Sequence, residues 1–186
     1  PGAKIVFDVK CSSLLSKDIS NQGGRPILSR TGHSFIKAKI KDESALLGGE
    51  MSGHIFFKER WYGFDDALYA GARLLEILSS RNESCSEIFS ELPDSFNTPE
   101  INIDFDKQGD QFDAMEKLKN TANFNEGVLT TIDGIRLDYE DCWGLVRPSN
   151  TTPCLVLRFE AETEASLKRI IEEFREWLER TGIDSK

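Results

Sequence analysis

"KIVFDVKCSSLLSKDISNQGGRPILSR", residues 4–30, decides the fold. Lys4–Lys10 is a short run rich in branched and aromatic side chains, the composition of a buried strand. Leu14, Leu15 and Ile19 then recur at helical spacing until Gly23 and Gly24 stop the pattern. Arg25–Arg30 is the next strand. Strand, helix and strand in such quick succession predict parallel pairing, because a crossover helix is what returns the chain in the same direction.

The rhythm continues outward from this unit. Residues 33–44 place Phe35, Ile36 and Ile40 on one helical face, "ALLGGE" (45–50) is a third strand, and "HIFFK" (54–58) a fourth. Asp65 and Asp66 open a long helix, "DDALYAGARLLEILSS" (65–80), with Asp65 as its cap and Asp66 favourably placed on the helix dipole. This predicts an α/β domain with a mixed, largely parallel sheet, whose functional loops lie at the carboxyl ends of the strands. "ELPDSFNTPE" (91–100) carries two prolines and no periodicity, which predicts a boundary and two domains, 1–94 and 95–186. Beyond it come a strand at 101–106, a helix at 110–122, and three or four strands within 127–162, with Asp133-Gly134 as a hairpin signal. The last helix carries Leu167, Ile170, Ile171, Phe174, Trp177 and Leu178 as one apolar stripe, capped by Thr163. That half is α+β: an antiparallel sheet with helices packed on one face.

Composition removes several function classes. A net charge of −9 and a pI near 4.8 argue against an electrostatic nucleic-acid binder, and any anion must be held by a local cluster of donors. No apolar run approaches the roughly 18 residues of a membrane span, and no signal peptide is visible. Cys11, Cys85, Cys142 and Cys154 are far apart and form no C-x-x-C, which argues against zinc or a disulfide framework and for reduced thiols in the cytoplasm. A first residue of Pro1 rather than Met suits a piece of a longer protein.

Two loops carry the chemistry. "GGEMSGH" (48–54) gathers Glu50, Ser52 and His54 between glycines, and alternation along an extended segment would put all three on one side. An acceptor, a hydroxyl and an imidazole suit the vicinal hydroxyls of a sugar. "RPSNTTP" (147–153) holds a guanidinium able to fork onto a phosphate, with Ser149, Thr151 and Thr152 as further donors. An ordinary polar turn has the same composition. Arg158, inside an apolar strand, either reaches a ligand or pairs with a carboxylate. Lys10 and His33 fall at strand ends near the glycine loop, where solvated or capping roles compete with functional ones. Glu50 with the two histidines lacks the spacing of a metal site. Trp61, Tyr62 and Phe64 either stack on a sugar or, more plainly, link to the core.

"FDVKCS", "RTGHSFIKAKI", "GEMSGH" with "FFKERWYGFDDALYAGARLLEIL", and "RPSNTTPCLVLRFEAET" together resemble the bacterial phosphomannomutase/phosphoglucomutase family of the α-D-phosphohexomutase superfamily. The resemblance covers essentially the whole chain and corresponds to the third and fourth of four domains around a cleft. It implies interconversion of hexose 1-phosphate and hexose 6-phosphate through a bisphosphorylated sugar, with glucose and mannose phosphates as substrates. It also implies roles for single residues: Glu50 and Ser52 on the sugar hydroxyls, Lys10, His33 and His54 in the cleft, and Arg147, Ser149, Asn150 and Thr151 on the phosphate. His33 and Lys10 are the candidates for acid/base or electrostatic assistance. Met51 points to dual mannose/glucose specificity rather than to a phosphoglucosamine mutase. The family's phosphoserine loop and acidic Mg²⁺ loop have no counterpart here. The expectation is therefore a monomeric fragment that recognises sugar and phosphate and is inactive alone. Mg²⁺, a hexose 1,6-bisphosphate activator and the first two domains belong to the full-length enzyme. A non-catalytic sugar-phosphate binding module and a phosphoglucosamine mutase fragment are the alternatives.

Overall fold

The computed structural model describes residues 1–124 and 126–183. The chain divides into two compact units, Pro1–Asp94 and Ser95–Lys186. In the first, the order is β1 (Lys4–Asp8), α1 (Ser13–Asn21), β2 (Arg25–Ser29), α2 (His33–Glu43), β3 (Leu47–Gly49), β4 (Ile55–Phe57), α3 (Ala67–Ser79) and α4 (Cys85–Ser90). The sheet order is β2-β1-β3-β4. β1 runs parallel to β2 and to β3, and only the β3–β4 hairpin is antiparallel.

Alternation along β1 divides its side chains between two small cores. Phe7 packs with Cys11 and Ile19, joined by Ile5, Leu28 and Met51, on the α1 side. Val6 packs with Ile36, Ile40, Ala45 and Phe56 on the α2 side. The helices thus cover opposite faces, as a parallel sheet requires. Gly48 belongs to this packing: a Cβ there would lie 2.6 Å from Ile40 Cδ1 and 2.9 Å from Ile36 Cγ2, so α2 rests directly on the β3 backbone.

Two local expectations are corrected, and one element is new. The cap of α3 is Asp66, whose carboxylate accepts from the Tyr69 N–H at 3.0 Å, while Asp65 turns to His54 instead. Trp61 stacks on Tyr69 with centroids 4.3 Å apart, but Tyr62 and Phe64 are exposed, so the aromatic cluster is not a link to the core. α4 escapes periodicity because six residues are too few to show it; the Ser84–Glu87 capping box closes its start. α3 buries none of its residues, with Leu68 89% and Leu75 66% exposed.

The second unit runs β5 (Phe96–Asn97), β6 (Ile101–Asp104), α5 (Asp110–Thr121), β7 (Val128–Thr130), β8 (Ile135–Asp138), β9 (Cys142–Pro148), β10 (Cys154–Ala161) and α6 (Glu164–Arg180). Its sheet order is β5-β10-β9-β8-β7, with β6 also on β10, and every pairing is antiparallel. β5 lies inside the proline-rich stretch that marks the boundary. Ile135, Leu137, Cys142, Val146, Leu155, Leu157 and Phe159 face one way and pack with Met115 and Leu118 of α5 and Ile170, Phe174, Trp177 and Leu178 of α6. The alternate positions face away from the helices. There Arg136 lies 3.9 Å over the Trp143 ring and forks onto Asp138, Arg158 lies 5.8 Å from the same ring, and Trp143 Nε1 donates to Glu160. Arg158 is thus part of an aromatic and ionic layer across β8, β9 and β10. Arg147 follows Trp143 and Leu145 on that same side of β9.

Candidate functional site

The glycine loop is a tight turn rather than an extended segment. The Glu50 N–H donates to the His54 carbonyl and the Gly53 N–H to the Glu50 carbonyl, both at 2.9 Å, closing the β3–β4 hairpin. The expected alternation therefore fails. Glu50 is half-buried, while Ser52 and His54 are exposed. His54 Nδ1 lies 2.6 Å from Asp65 Oδ2, so the imidazole has a carboxylate partner eleven positions along the chain. The Met51 side chain packs on the Phe7–Cys11–Ile19 core.

Asp8, at the end of β1, holds the loop from beneath and was missed by the sequence reading. It is fully buried and accepts from the Cys11 thiol at 3.1 Å, the Thr31 hydroxyl at 3.0 Å and the Met51 N–H at 3.2 Å. Three segments that follow β1, β2 and β3 thus meet on one carboxylate. A buried charge is tolerated only with such satisfaction. Lys10 is buried beyond Asp8, and His33 is exposed at the first position of α2, where Gly32 gives no side-chain cap.

Glu50 is electrostatically marked. Desolvation pushes its pKa up from the ordinary 4.5, and the nearby Asp8 charge adds to that. His54, a hydrogen bond from the Gly32 backbone and Lys10 oppose the rise. Its Oε1 is buried and meets no hydrogen-bond partner. A carboxylate oxygen in that state is short of a donor.

In the second unit, the loop joining β9 to β10 is tied down from within and from α5. Ser149 Oγ accepts from the Thr151 and Thr152 N–H groups at 3.3 and 3.2 Å and lies 2.8 Å from the Thr152 hydroxyl. Gln111, also missed by sequence reasoning, is fully buried: its amide donates to the carbonyls of Ser149 and Thr152, each at 3.3 Å, and its oxygen accepts from the Gly109 N–H. Asn150 and Thr151 stand exposed at the tip. Arg147 is 4% exposed, and its Nε donates to Asp133 Oδ2 at 2.9 Å. Its Nη2 is buried without a partner. The loop therefore presents one guanidinium nitrogen short of an acceptor beside preshaped hydroxyls, a donor set that suits an oxyanion.

Among the described residues, no group of three or more His, Cys, Asp or Glu side chains is placed to hold a metal ion. None of the four cysteines is in a disulfide. No helix among the described residues is long and apolar enough to cross a membrane.

The sequence matches the family described as phosphoglucomutase/phosphomannomutase, alpha/beta/alpha domain III, over residues 1–96, and the C-terminal domain of the same family over residues 100–176. It is 55% identical over 180 residues to a phosphomannomutase/phosphoglucomutase of Pseudomonas putida, covering 97% of this chain and 39% of the relative. It is 52% identical to a phosphoglucomutase of Neisseria gonorrhoeae, again covering 39% of it. The crystal structure of a phosphoglucomutase/phosphomannomutase family protein from Burkholderia thailandensis superposes with a TM-score of 0.91 at 45% identity, over all of this chain and 39% of that one. The chain thus spans about two fifths of the length of these relatives, 39% in each case. On these matches, and on a fold with one α/β unit followed by one antiparallel α+β unit, the chain belongs to the phosphoglucomutase/phosphomannomutase family of the α-D-phosphohexomutase fold.

Proposed function

We propose that this chain is the C-terminal, substrate-recognising portion of a phosphomannomutase/phosphoglucomutase that interconverts hexose 1-phosphates and 6-phosphates through a bisphosphorylated sugar. Residues 1–94 supply the sugar loop, with Glu50 and Ser52 on ring hydroxyls and His54 beside them. Residues 95–186 supply the phosphate clamp of Arg147, Ser149, Asn150 and Thr151. Lys10 and His33 lend positive charge or a proton near the transferring phosphoryl group. The observation that carries this reading is that two of the three buried side-chain atoms without a hydrogen-bond partner among the described residues, Glu50 Oε1 and Arg147 Nη2, lie one in each loop, the third being Arg73 Nε on α3. Glu50 Oε1 lacks a donor and Arg147 Nη2 an acceptor, as a sugar hydroxyl and a phosphate would provide.

The roles of the two loops bind and orient and make or break no bond, so their contribution is one of positioning. When bound, Mg²⁺ would supply charge neutralisation at the phosphoryl group, from residues outside this chain. The phosphoryl donor, the bisphosphate activator and the preceding domains are likewise assigned to the rest of a cytoplasmic, monomeric enzyme. The uncovered apolar residues of α3 agree with a chain that works as part of more protein.

The test is glucose 1-phosphate titrated into the chain and followed by amide chemical shifts. Shifts at residues 50–54 and 147–152, lost separately in Glu50→Ala and Arg147→Ala, are expected, together with no turnover by the chain alone. No saturable shift would overturn the recognition role, and turnover above that of an Arg147→Ala control would overturn the assignment as an inactive portion.

A further inference from the structure

We propose that Asp133 is the positioning residue of the phosphate clamp: it turns the Arg147 guanidinium so that the Nη2 side is kept for the anion. The inference rests on the clamp reading given above. Asp133 lies in the turn between β7 and β8, fourteen positions before Arg147, and is 6% exposed. Its carboxylate takes the Nε–H at 2.9 Å, leaving Nη2 buried with no partner.

A second buried arginine in the same sheet shows what a purely structural pair looks like. Arg136 donates from Nε and from Nη2 to the same Asp138, at 3.0 and 2.8 Å, and lies flat over Trp143. Arg147 is held through Nε alone. A buried guanidinium nitrogen without an acceptor costs free energy, which an anion meeting it would recover.

The backbone is built to hold this half-satisfied pair. Gly134, next to Asp133, has φ +84°, and a Cβ there would lie 2.2 Å from the Val146 carbonyl oxygen and 2.6 Å from Arg147 Cα. The turn is pressed so closely on β9 that only glycine fits. Asp133 is thereby locked beside Arg147 before any ligand arrives, and a fixed fork spends less freedom on each bond it forms.

Two effects of Asp133 oppose each other. Its charge repels an incoming anion, and its hydrogen bond orients the group that binds it. The proposal is that orientation wins. Inorganic phosphate titrated into the 186-residue chain, followed by amide and arginine side-chain resonances, decides this. In the wild type the Arg147 Hε should exchange slowly and stay put during the titration, while shifts appear at residues 147–152. Asp133→Ala should weaken phosphate on the order of tenfold. Asp133→Asn, which keeps a neutral acceptor for Nε–H, should recover most of the affinity and the Hε protection.

If Asp133→Ala and Asp133→Asn both bind more tightly than wild type, charge dominates and the positioning role is wrong, with the clamp intact. If Asp133→Ala does not fold, the asparagine variant and the wild-type Hε still decide: a freely exchanging Hε, or asparagine binding tenfold tighter, overturns the proposal. If phosphate shifts survive Arg147→Ala unchanged, the clamp itself is wrong and the proposal falls with it.

Discussion

Replacing Asp8 by alanine removes the acceptor of three donors at once, the Cys11 thiol, the Thr31 hydroxyl and the Met51 N–H. The thiol is a weak donor and counts for little. Each of the other two, if stranded, costs about 1–3 kcal/mol. Both residues are half-buried, so water relieves part of that. The alanine also spares the fold a buried carboxylate, which offsets a further part. A net loss of about 2–3 kcal/mol follows from these terms. Asp8→Asn should cost only about 1 kcal/mol, since its oxygen can still take the Met51 N–H while its NH₂ turns to the Thr31 hydroxyl, which also accepts.

Urea unfolding followed by amide resonances reads the two units separately, with Ser95–Lys186 as the internal control. With a urea slope of about 1–3 kcal/mol/M, the alanine midpoint for Pro1–Asp94 should fall by about 0.7–3 M. The Met51 amide should lose its hydrogen-exchange protection in Asp8→Ala and keep most of it in Asp8→Asn. A loss below about 0.5 kcal/mol, the range of an ordinary surface change, would refute the claim that Asp8 holds the loop. Unchanged exchange at Met51 would do the same.

Gly134→Ala should destabilise the second unit by about 2–4 kcal/mol, from a left-handed backbone and a clash with β9 backbone atoms that cannot move aside; a thermal midpoint within error of wild type would contradict the close approach. Asp66→Ala should cost about 1 kcal/mol as a lost cap, and Asp65→Ala less, because its His54 contact is exposed; chemical denaturation that ranks them the other way round would restore Asp65 as the cap. Glu50 has a folded-state pKa above its unfolded value, so the fold binds that proton more tightly and is weakened as pH rises through the window from 4.5 to the raised value. Glu50→Gln should therefore match wild type below that window and be the more stable protein above it, and equal stability at pH 7 would show that the raised pKa is not there.

The order of elements was legible because it is written in local patterns. Val6, Ile19, Ile36, Phe56 and, in α6, Ile170, Phe174, Trp177 and Leu178 lie at the periods of strand and helix, and all are buried where the fold needs them. The two loops were legible because glycines, hydroxyls and a lone arginine stand out between apolar runs. What could not be read were contacts between segments far apart in sequence. Asp65 and Asp66 are equivalent as letters; only the return of the β3–β4 hairpin brings His54 to one and frees the other to cap. Asp8 looks like the polar residue of an amphipathic strand, and Gln111 like the solvent face of a helix, yet each is fully buried. The only sequence signal for Asp133 is the Asp-Gly pair, which states a turn and says nothing of Arg147.

Both loops nevertheless follow one physical rule. A loop that meets a polar ligand must keep some hydrogen-bonding atoms unspent, and unspent buried atoms weaken the fold that holds them. The structure answers this by satisfying everything around the orphan. Asp8 anchors the Met51 N–H beside Glu50, while Glu50 Oε1 is left alone. Gln111 and Ser149 occupy the carbonyls and N–H groups of the second loop, and Asp133 occupies Arg147 Nε, while Nη2 is left alone. Asp8, Gln111 and Asp133 come from a different element than the loop each restrains, so the loop cannot relax toward its own orphan without breaking a bond elsewhere. Removing a restraint should then act in two ways at once, lowering stability and letting the orphan find an internal partner. A variant such as Asp133→Ala that loses anion affinity while Arg147 gains a new hydrogen bond inside the protein would show that the same contact sets both stability and readiness to bind.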